Sequence, residues 1–460
     1  MFTAQDIAMT RMGQPLTPAY QEAVDFLYRF LDNSRVRHPE QRGHFSLARM
    51  ERLLAALGDP HRAYPVVHIA GTNGKGSVAA MTAAVLQAAG YRVGLYTSPH
   101  LVEFVERIRI NGRPIHPDQV VAGVERLRPL AAAEPQVSTF ELTTALAFDH
   151  FARQGVDFAV VEVGLGGRFD ATNVVWPEVA ILTAIDYDHT RLLGPTLADI
   201  ARAKAGILKP GRPAVTARQA PEALAVLQAE ARARGVRLHR AAVEVAVQVL
   251  HDSLQGQRLR LHLRGNGAQP LEAHLPLLGP HQRDNAAVAF LAWQQLARQG
   301  WAVDPAAIRA GLARVRWPCR FEVLAHHPPL VVDGAHTPAA IQSLRAGMLH
   351  YFPQRPWVLI FGVSRTKDPR ALLRALAPPG TQVIATQSIH PKALPAAEVA
   401  AAARDEGLPV RVAATVEDAL ALAWQHVPAD GVILATGSLF VAAGVRVVYT
   451  GEPWWQASLV

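Results

Sequence analysis

The chain has one cysteine in 460 residues, Cys319. That excludes internal disulfides and any multi-cysteine metal site, and it suits a reducing compartment, so a cytoplasmic protein is expected. No apolar run approaches the ~18 uninterrupted residues of a membrane span, so no membrane partner is expected. The opening MFTAQDIAMTRMG lacks the charged-then-apolar layout of a signal peptide. No internal repeat, low-complexity linker or coiled-coil pattern appears, and a monomer is expected. Only 18% of residues are charged while half are hydrophobic, which provides for a large buried core and argues against disorder.

Lysine is the second scarcity. Of 46 Lys+Arg, only Lys75, Lys204, Lys209, Lys367 and Lys392 are lysines. A chain that otherwise uses arginine for positive charge keeps lysine where a compact or deprotonatable amine is required. The net charge of +8 is scattered, with no dense basic run and no aromatic–basic interleaving. No nucleic-acid partner is expected, and small anionic ligands fit better. An arginine-rich composition with no ligand behind it would give the same balance.

What the chain does have is concentrated at residues 66–90, VVHIAGTNGKGSVAAMTAAVLQAAG. An apolar run ends in Gly71-Thr72-Asn73-Gly74-Lys75-Gly76-Ser77, and a small-residue helical pattern starts at once. Glycines let the backbone fold tightly round an anion, while freed N–H groups and the helix N-terminus point at it. Thr72, Asn73, Gly74, Lys75, Gly76 and Ser77 therefore form a candidate phosphate cradle. Lys75 supplies a point charge for the β- and γ-phosphates of a nucleotide. The usual pattern G-x-x-x-x-G-K-[ST] is not met, because Ile69 and Gly76 stand where Gly and Ser or Thr belong; the hydroxyl comes one residue later, at Ser77. A plain strand-to-helix turn with an exposed lysine is the other reading, and the order strand, loop, helix favours the cradle.

From Pro65 the chain alternates apolar strands, PVVHIA, RVGLY, DFAVVEVG and PEVAILTAI, with helices near 77–90, 118–132, 138–154 and 196–208. Such alternation predicts a mainly parallel sheet covered on both faces. Two amphipathic helices precede it, over about 17–32 and in FSLARMERLLAALG. Period-two alternation within 235–277 predicts an antiparallel β-rich appendage, and two helices near 280–313 close this half. Around Arg314–Pro318 the pattern restarts. PPLVVDGAH, RPWVLIFGV, TQVIATQ and DGVILATGS read as buried strands between helices at about 338–349, 369–376, 395–405 and 415–426. The fold class is α/β: an N-terminal P-loop ATPase-like domain with a mainly parallel sheet, residues 1–315, and a smaller C-terminal Rossmann-like α/β domain, residues 316–460.

A phosphate cradle usually works with Mg²⁺, which takes hard oxygen ligands and water. Three candidates lie at strand ends or just beyond, where open α/β sheets bind ligands: Ser98 in YTSPHL, Glu162 in FAVVEVGLGGR, and His189 in AIDYDHTRLLG beside Asp186 and Asp188. A carboxylate within an apolar run needs a cation partner, either a metal or Arg168. The other readings are an N-cap for Ser98 and a loop histidine for His189. Lys204, in DIARAKAGILKPG, would be a surface charge by position alone. An unprotonated lysine, however, can react with CO₂ to give a carbamate able to help hold Mg²⁺, which arginine cannot do. In the second half Arg320 could stabilise a transferring phosphoryl group, and Asp333, at a strand's end, is placed for ribose hydroxyls. Asn285 begins a helix and could reach the base, or could serve as an N-cap or in packing.

Together these segments resemble the folylpolyglutamate synthase family, including the bifunctional dihydrofolate synthases, within the Mur-type ATP-dependent amide ligases. The resemblance runs from FSLARMERLLAALGDP through VVHIAGTNGKGS, YTSPHLVEFVERIRING, VVEVGLGGRFDATNV and DHTRLLGPTLADIARAKAGILKPG to LLGPHQRDNAA, WPCRFEVL, DGAHTP and TGSLFVAAGVR. It implies ATP phosphates on Gly74, Lys75, Gly76 and Ser77, and Mg²⁺ at Ser98, Glu162 and His189. It implies a carbamylated Lys204 near a second Mg²⁺. It also implies ATP contacts from Asn285, Arg320 and Asp333, His336 at the glutamate or phosphate end of the cleft, and Gly167-Arg168-Phe169-Asp170 bordering the pterin or folate pocket. The chain departs from the family at Thr337, where many bacterial relatives carry Asn, at Cys319, where Gly is common, and at Thr366, where Asp is frequent.

No Ser–His–Asp or Cys–His pair presents itself, so covalent catalysis by the enzyme is not suggested. The resemblance implies instead that a folate or dihydropteroate carboxylate attacks the γ-phosphate, giving an acyl phosphate and ADP, and that the amine of L-glutamate then forms the amide. Lys75, His189, Lys204, Arg320 and His336 are the residues expected to carry the reaction. Two alternatives compete. Another Mur-type amino-acid ligase would need an N-terminal domain larger than the ~60 residues before the loop. A P-loop nucleotide switch would not need the second domain or the Lys204 segment. Whether dihydropteroate is also a substrate is not legible in the residues.

Overall fold

The computed structural model describes residues 17–30, 47–134, 136–265, 269–452 and 455. The MFTAQDIAMTRMG segment lies outside them, as do the end of the helix expected to 32 and the first two residues of FSLARMERLLAALG. The described helices there are Pro18–Tyr28 and Leu47–Ala56.

The first half is built on β1 (Val66–Ala70), β2 (Val93–Tyr96), β3 (Ile108–Ile110), β4 (Arg113–Pro114), β5 (Phe158–Glu162), β6 (Val179–Leu182), β7 (Ala214–Thr216) and β8 (Leu238–Arg240). They form one sheet in the order β4-β3-β2-β5-β1-β6-β7-β8. Neighbours from β2 to β8 run parallel, while β3 and β4 are added antiparallel at one edge. Every residue of β1, β5 and β6 is buried, so these strands read as unbroken apolar runs. One face packs on Met81, Val85 and Leu86 of the helix Lys75–Ala88 and on Leu291 and Trp293 of the helix Pro280–Arg298. The other packs on Leu146, Phe148 and Phe151 of the helix Thr139–Arg153.

The expected appendage is β9 (Val245–Ser253), β10 (Gly256–Leu263) and β11 (Leu271–Leu275), antiparallel throughout. Leu259, Leu261 and Leu263 alternate into the core of the large sheet. The start of the 235–277 reading needs correction, because β8 joins the parallel sheet beside β7. Three residues are too short for their periodicity to separate a parallel edge from an antiparallel one.

The second half holds β12 (Glu322–His326), β13 (Pro329–Val332), β14 (Trp357–Phe361), β15 (Gln382–Ala385), β16 (Val410–Val412) and β17 (Val432–Thr436), in the order β12-β13-β17-β14-β15-β16. All neighbours are parallel except β12 on β13. The four predicted strands are β13, β14, β15 and β17, and all are central; β12 and β16 are edges with weak patterns. Among the described residues, no helix is long and apolar enough to cross a membrane.

Candidate active site

The loop after β1 enters the helix Lys75–Ala88 through Gly74, which takes φ 87°. A Cβ there would fall on Asn285 Oδ1, and one at Gly76 would lie 2.8 Å from Trp317 Cζ2. Glycine is thus required twice, for a left-handed turn and for close approach of the neighbouring groups. The helix start leaves N–H groups without helical partners, facing the mouth where an anion would sit. Thr72 and Asn73 have a different part from the one expected. Both backbone N–H groups donate to Ala184 O, at 2.8 and 3.2 Å, and the Thr72 hydroxyl donates to Asp186 O while accepting from Asp186 N. These two residues fasten the cradle to the loop after β6, and the available backbone donors are those of Gly74 to Ser77. The Ser77 hydroxyl is also engaged: it is 3% exposed and accepts from Gln282 Nε2 at 3.3 Å.

Ser98 follows β2, and Glu162 ends β5 beside it. Glu162 is buried, and its Oε2 accepts from Ser98 N at 3.1 Å. Burial raises its carboxyl above the ordinary range, and Lys75, the Ser98 N–H, Arg320 and Arg109 oppose the rise. Arg168 is not its partner, because that guanidinium pairs with Glu230 at 3.3 Å. Nor is Ser98 an N-cap, since no helix starts there. His189 takes a left-handed conformation, φ 51°, at the N-cap of the short helix Thr190–Leu193. Its Nε2 lies 3.6 Å from Asp188 Oδ2. Among the described residues no three His, Cys, Asp or Glu side chains form a metal-holding group. Ser98, Glu162 and His189 contribute only two of those types, so a cation here would take its remaining oxygens from phosphate and water.

Lys204 is not a surface charge. It is buried at the end of the helix Leu197–Lys204, and its Nζ donates to Gly71 O at 2.7 Å, on the phosphate loop itself. Burial, with Lys75 adding to it, lowers the amine to about 7. A large share is therefore unprotonated at neutral pH, the form that reacts with CO₂.

The second domain forms the opposite wall. Arg320 Nη1 donates to Cys319 O at 2.9 Å. The Arg320 turn runs through left-handed φ at both Cys319 (56°) and Phe321 (46°), which gives the departure from glycine at 319 a physical meaning. Asp333 is buried, and its two oxygens accept from Phe321 N and Ala335 N, each at 2.7 Å. It holds the Arg320 turn against the strand end, with its carboxyl raised by burial. His336 Nδ1 donates to Gly334 O at 2.8 Å, and burial holds the ring below the ordinary histidine range. Nε2 is then the unprotonated nitrogen. Gly76, Ser98, Glu162 and Arg320, four of the predicted residues, line one cavity together with Trp317, so they meet across the two domains.

Asn285 does not begin a helix. The helix starts at Pro280 after Gly279, which puts Asn285 in its second turn and excludes an N-cap. Its Nδ2 donates to Gln282 Oε1 at 3.0 Å. The same helix brings His281, whose buried Nδ1 has no hydrogen-bond partner and whose ring is lowered to about 4 by burial and Arg320. Sequence reasoning missed His281 and Gln282, which carry no signal of their own; it named Asp188 only as a neighbour of His189 and Lys367 only among the scarce lysines. In the GRFDATN segment Asp170 turns inward: it accepts from Leu165 N, Thr172 N and the Thr172 hydroxyl, and organises its own loop. Phe169 beside it is 56% exposed.

A phosphate loop facing an arginine-bearing second α/β domain, with a buried carboxylate at the junction, defines a Mur-type ligase. Residues 69–293 match the Mur ligase middle domain, and residues 319–439 match the Mur ligase glutamate ligase domain. Within that class, the chain belongs to the dihydrofolate synthase/folylpolyglutamate synthase family. It is 38% identical to the Mycobacterium tuberculosis dihydrofolate synthase/folylpolyglutamate synthase over 91% of this chain and 92% of that one. It is also similar to the solved M. tuberculosis folylpolyglutamate synthase complexed with ADP, with a TM-score of 0.85, 37% identity, and coverage of 95% and 100%. An FPGS–AMPPCP–folate complex gives 0.78 and 33%, covering 94% of this chain and 100% of that one.

Proposed function

We propose that this enzyme, an ATP-dependent folate–glutamate ligase, adds L-glutamate to the carboxylate of a folate through an acyl phosphate, releasing ADP and phosphate. The observation that carries this reading is the shared cavity, in which the phosphate loop at Gly76, the carboxylate of Glu162 and the guanidinium of Arg320 converge. Residues 1–315 form the ATP-binding domain and residues 316–460 the second. Val315 belongs to the core of the first domain and Phe321 to that of the second, which supports a division between them.

Gly74, Lys75, Gly76 and Ser77 bind the phosphates, the first and the last two through backbone. Lys75 and Arg320 neutralise charge as a carboxylate meets the triphosphate, and the preorganised site makes each contact worth more than in water. Asn285, Asp333 and Arg320 complete the nucleotide site. Ser98, Glu162 and His189 fit a hard cation, and a carbamate on Lys204 would add oxygen donors for a second. Mg²⁺ held there would neutralise phosphate charge and polarise the γ-phosphoryl group. His336, neutral and fixed through Nδ1, presents Nε2 to take the proton released when the glutamate amine attacks. Closure of the two walls excludes water that would hydrolyse the acyl phosphate. Phe169, in the segment bearing Arg168 and Asp170, offers an apolar surface for the pterin. The chain acts as a monomer in the cytoplasm, and its single buried thiol supports the compartment.

The test is ADP release on adding tetrahydrofolate plus glutamate, compared with ATP alone. Equal rates in both would overturn the ligase reading. Ligation onto dihydropteroate, measured alongside, separates a chain-lengthening enzyme from one that also makes dihydrofolate. Lys75→Ala is expected to lower turnover by at least ~10²-fold, and substantial retained activity would remove the cradle assignment.

A further inference from the structure

Arg109 lies on β3, in the segment YTSPHLVEFVERIRING but with no role assigned to it there, and it is a buried cation lining the cavity that Glu162 and Arg320 also line. It is 5% exposed, and its Nε donates to Glu106 O at 2.8 Å. Its guanidinium carbon lies 4.9 Å from the centroid of the Trp317 ring, over the indole. Trp317 in turn packs on the first-domain core. It reaches the phosphate loop as well, since a Cβ at Gly76 would lie 2.8 Å from Cζ2 and 2.9 Å from Nε1 of the indole. The order is therefore phosphate loop, indole, guanidinium, with Glu162 and Arg320 lining the same cavity.

Trp317 is the third residue before Arg320 in the chain joining the domains. Pinning its ring against Gly76 fixes where that segment leaves the first domain, and hence where the Arg320 turn begins. A desolvated guanidinium on a tryptophan face is held more strongly than one at an exposed site. Burial lowers the Arg109 guanidinium to about 10, with Glu106 and Glu162 opposing the shift, so it stays charged at neutral pH. The planar, delocalised group matters as well as the charge: lysine would keep the charge and lose the stack.

We infer that Arg109 is a positioning residue, which clamps the interdomain segment onto the phosphate loop through Trp317 and so sets Arg320 for phosphoryl transfer. The inference rests on the ligase reading above and adds a residue to its machinery. It separates nucleotide binding from catalysis. The cradle N–H groups are set by the Gly74 turn and the helix start and are expected to keep their geometry without Arg109, whereas a displacement of Arg320 by about 1 Å is enough to cost ~10²-fold in rate.

The experiment is a double-mutant cycle on the full chain, with Arg109→Met, Arg320→Ala and the double variant. Each is assayed for kcat and KM with tetrahydrofolate, glutamate and ATP, and for ADP affinity by calorimetry. Arg109→Met is expected to lower kcat at least ~10-fold with ADP affinity within ~3-fold, and to have no further effect once Arg320 is removed. Equal losses in both backgrounds would overturn the inference, as would a change confined to KM for the folate, which would mark a direct substrate contact. Arg109→Lys guards against misfolding: it is expected to fold and to keep a kcat defect of at least ~3-fold, and full activity would remove the role of the stack. Failure of the ligase reading itself would appear separately, as wild-type ADP release indifferent to folate and glutamate.

Discussion

Lys367 Nζ donates to Asp188 Oδ1 at 3.0 Å, from the loop after β14 in one domain to the loop after β6 in the other. The next residue, His189, is a proposed Mg²⁺ ligand. Burial would raise the Asp188 carboxyl, but His189, Lys367 and His336 together outweigh it and hold the group below its ordinary range. A second, weaker link runs close by, from the Thr337 hydroxyl to Asn73 Oδ1 at 3.4 Å. The cleft is thus held shut at the point where the chemistry is proposed to occur.

A partly buried pair of this kind contributes about 1 kcal/mol to stability, so its value lies in placing the domains. Lys367→Met is expected to shift the thermal midpoint by no more than a few degrees while lowering kcat at least ~10-fold. Scattering curves in solution should report a more open molecule. Unchanged kcat with an unchanged envelope would show the pair to be incidental.

Gly74→Ala should remove nucleotide binding. The added methyl meets Asn285 Oδ1, and the left-handed φ of 87° costs an L-residue about 1–2 kcal/mol. Calorimetry with ADP is the measurement; affinity within a few-fold of wild type would mean that the loop adapts.

Ser77 and Ser98 are expected to part company. The Ser77 hydroxyl is buried and accepts from Gln282, and the cation is proposed elsewhere, so Ser77→Ala should cost less than ~10-fold in kcat/KM, the scale of one neutral hydrogen bond. Ser98→Ala removes a proposed metal ligand and should raise the Mg²⁺ concentration needed for half-maximal rate by at least ~10-fold. The reverse ranking would return the cation to the usual P-loop hydroxyl.

Lys204 yields a pH signature. In CO₂-free buffer its amine titrates near 7 in the folded chain, against about 10.4 when unfolded. The unfolded state then binds more protons over that interval, so stability is lowest below pH 7 and rises as pH increases through it. Wild type should gain thermal stability from pH 6 to 9 relative to Lys204→Met; parallel curves would mean an unperturbed lysine. Adding bicarbonate at pH 8 should add the mass of one CO₂ to the wild-type chain and none to the variant.

Periodicity and loop composition made much of this molecule legible. The unbroken apolar runs of β1, β5 and β6, and of β13, β14 and β17, mark strands buried on both faces, because such strands have no polar side to display. The glycines of residues 71–76 mark a turn that other residues cannot make. Edge strands β8, β12 and β16 were not legible, since short half-covered strands carry little pattern and are defined by their partners. Asn285 misled for a related reason: the Gly279-Pro280 start fixes where the helix begins, whereas the residues at 285 carry no boundary signal.

The sequence by itself determined the two α/β halves, the glycine-rich turn after β1, and the residue types available for chemistry, because backbone preference and burial pattern are local properties. Tertiary structure decided what those residues face. It turned Thr72, Asn73 and Asp170 inward as fasteners, buried Lys204 beneath Gly71, and stacked Arg109 on Trp317. It also joined Asp188 to Lys367 across 179 positions of chain. Charge, hydrogen-bond partner and proton affinity depend on neighbours in space, and those neighbours come from strands and loops far apart in sequence.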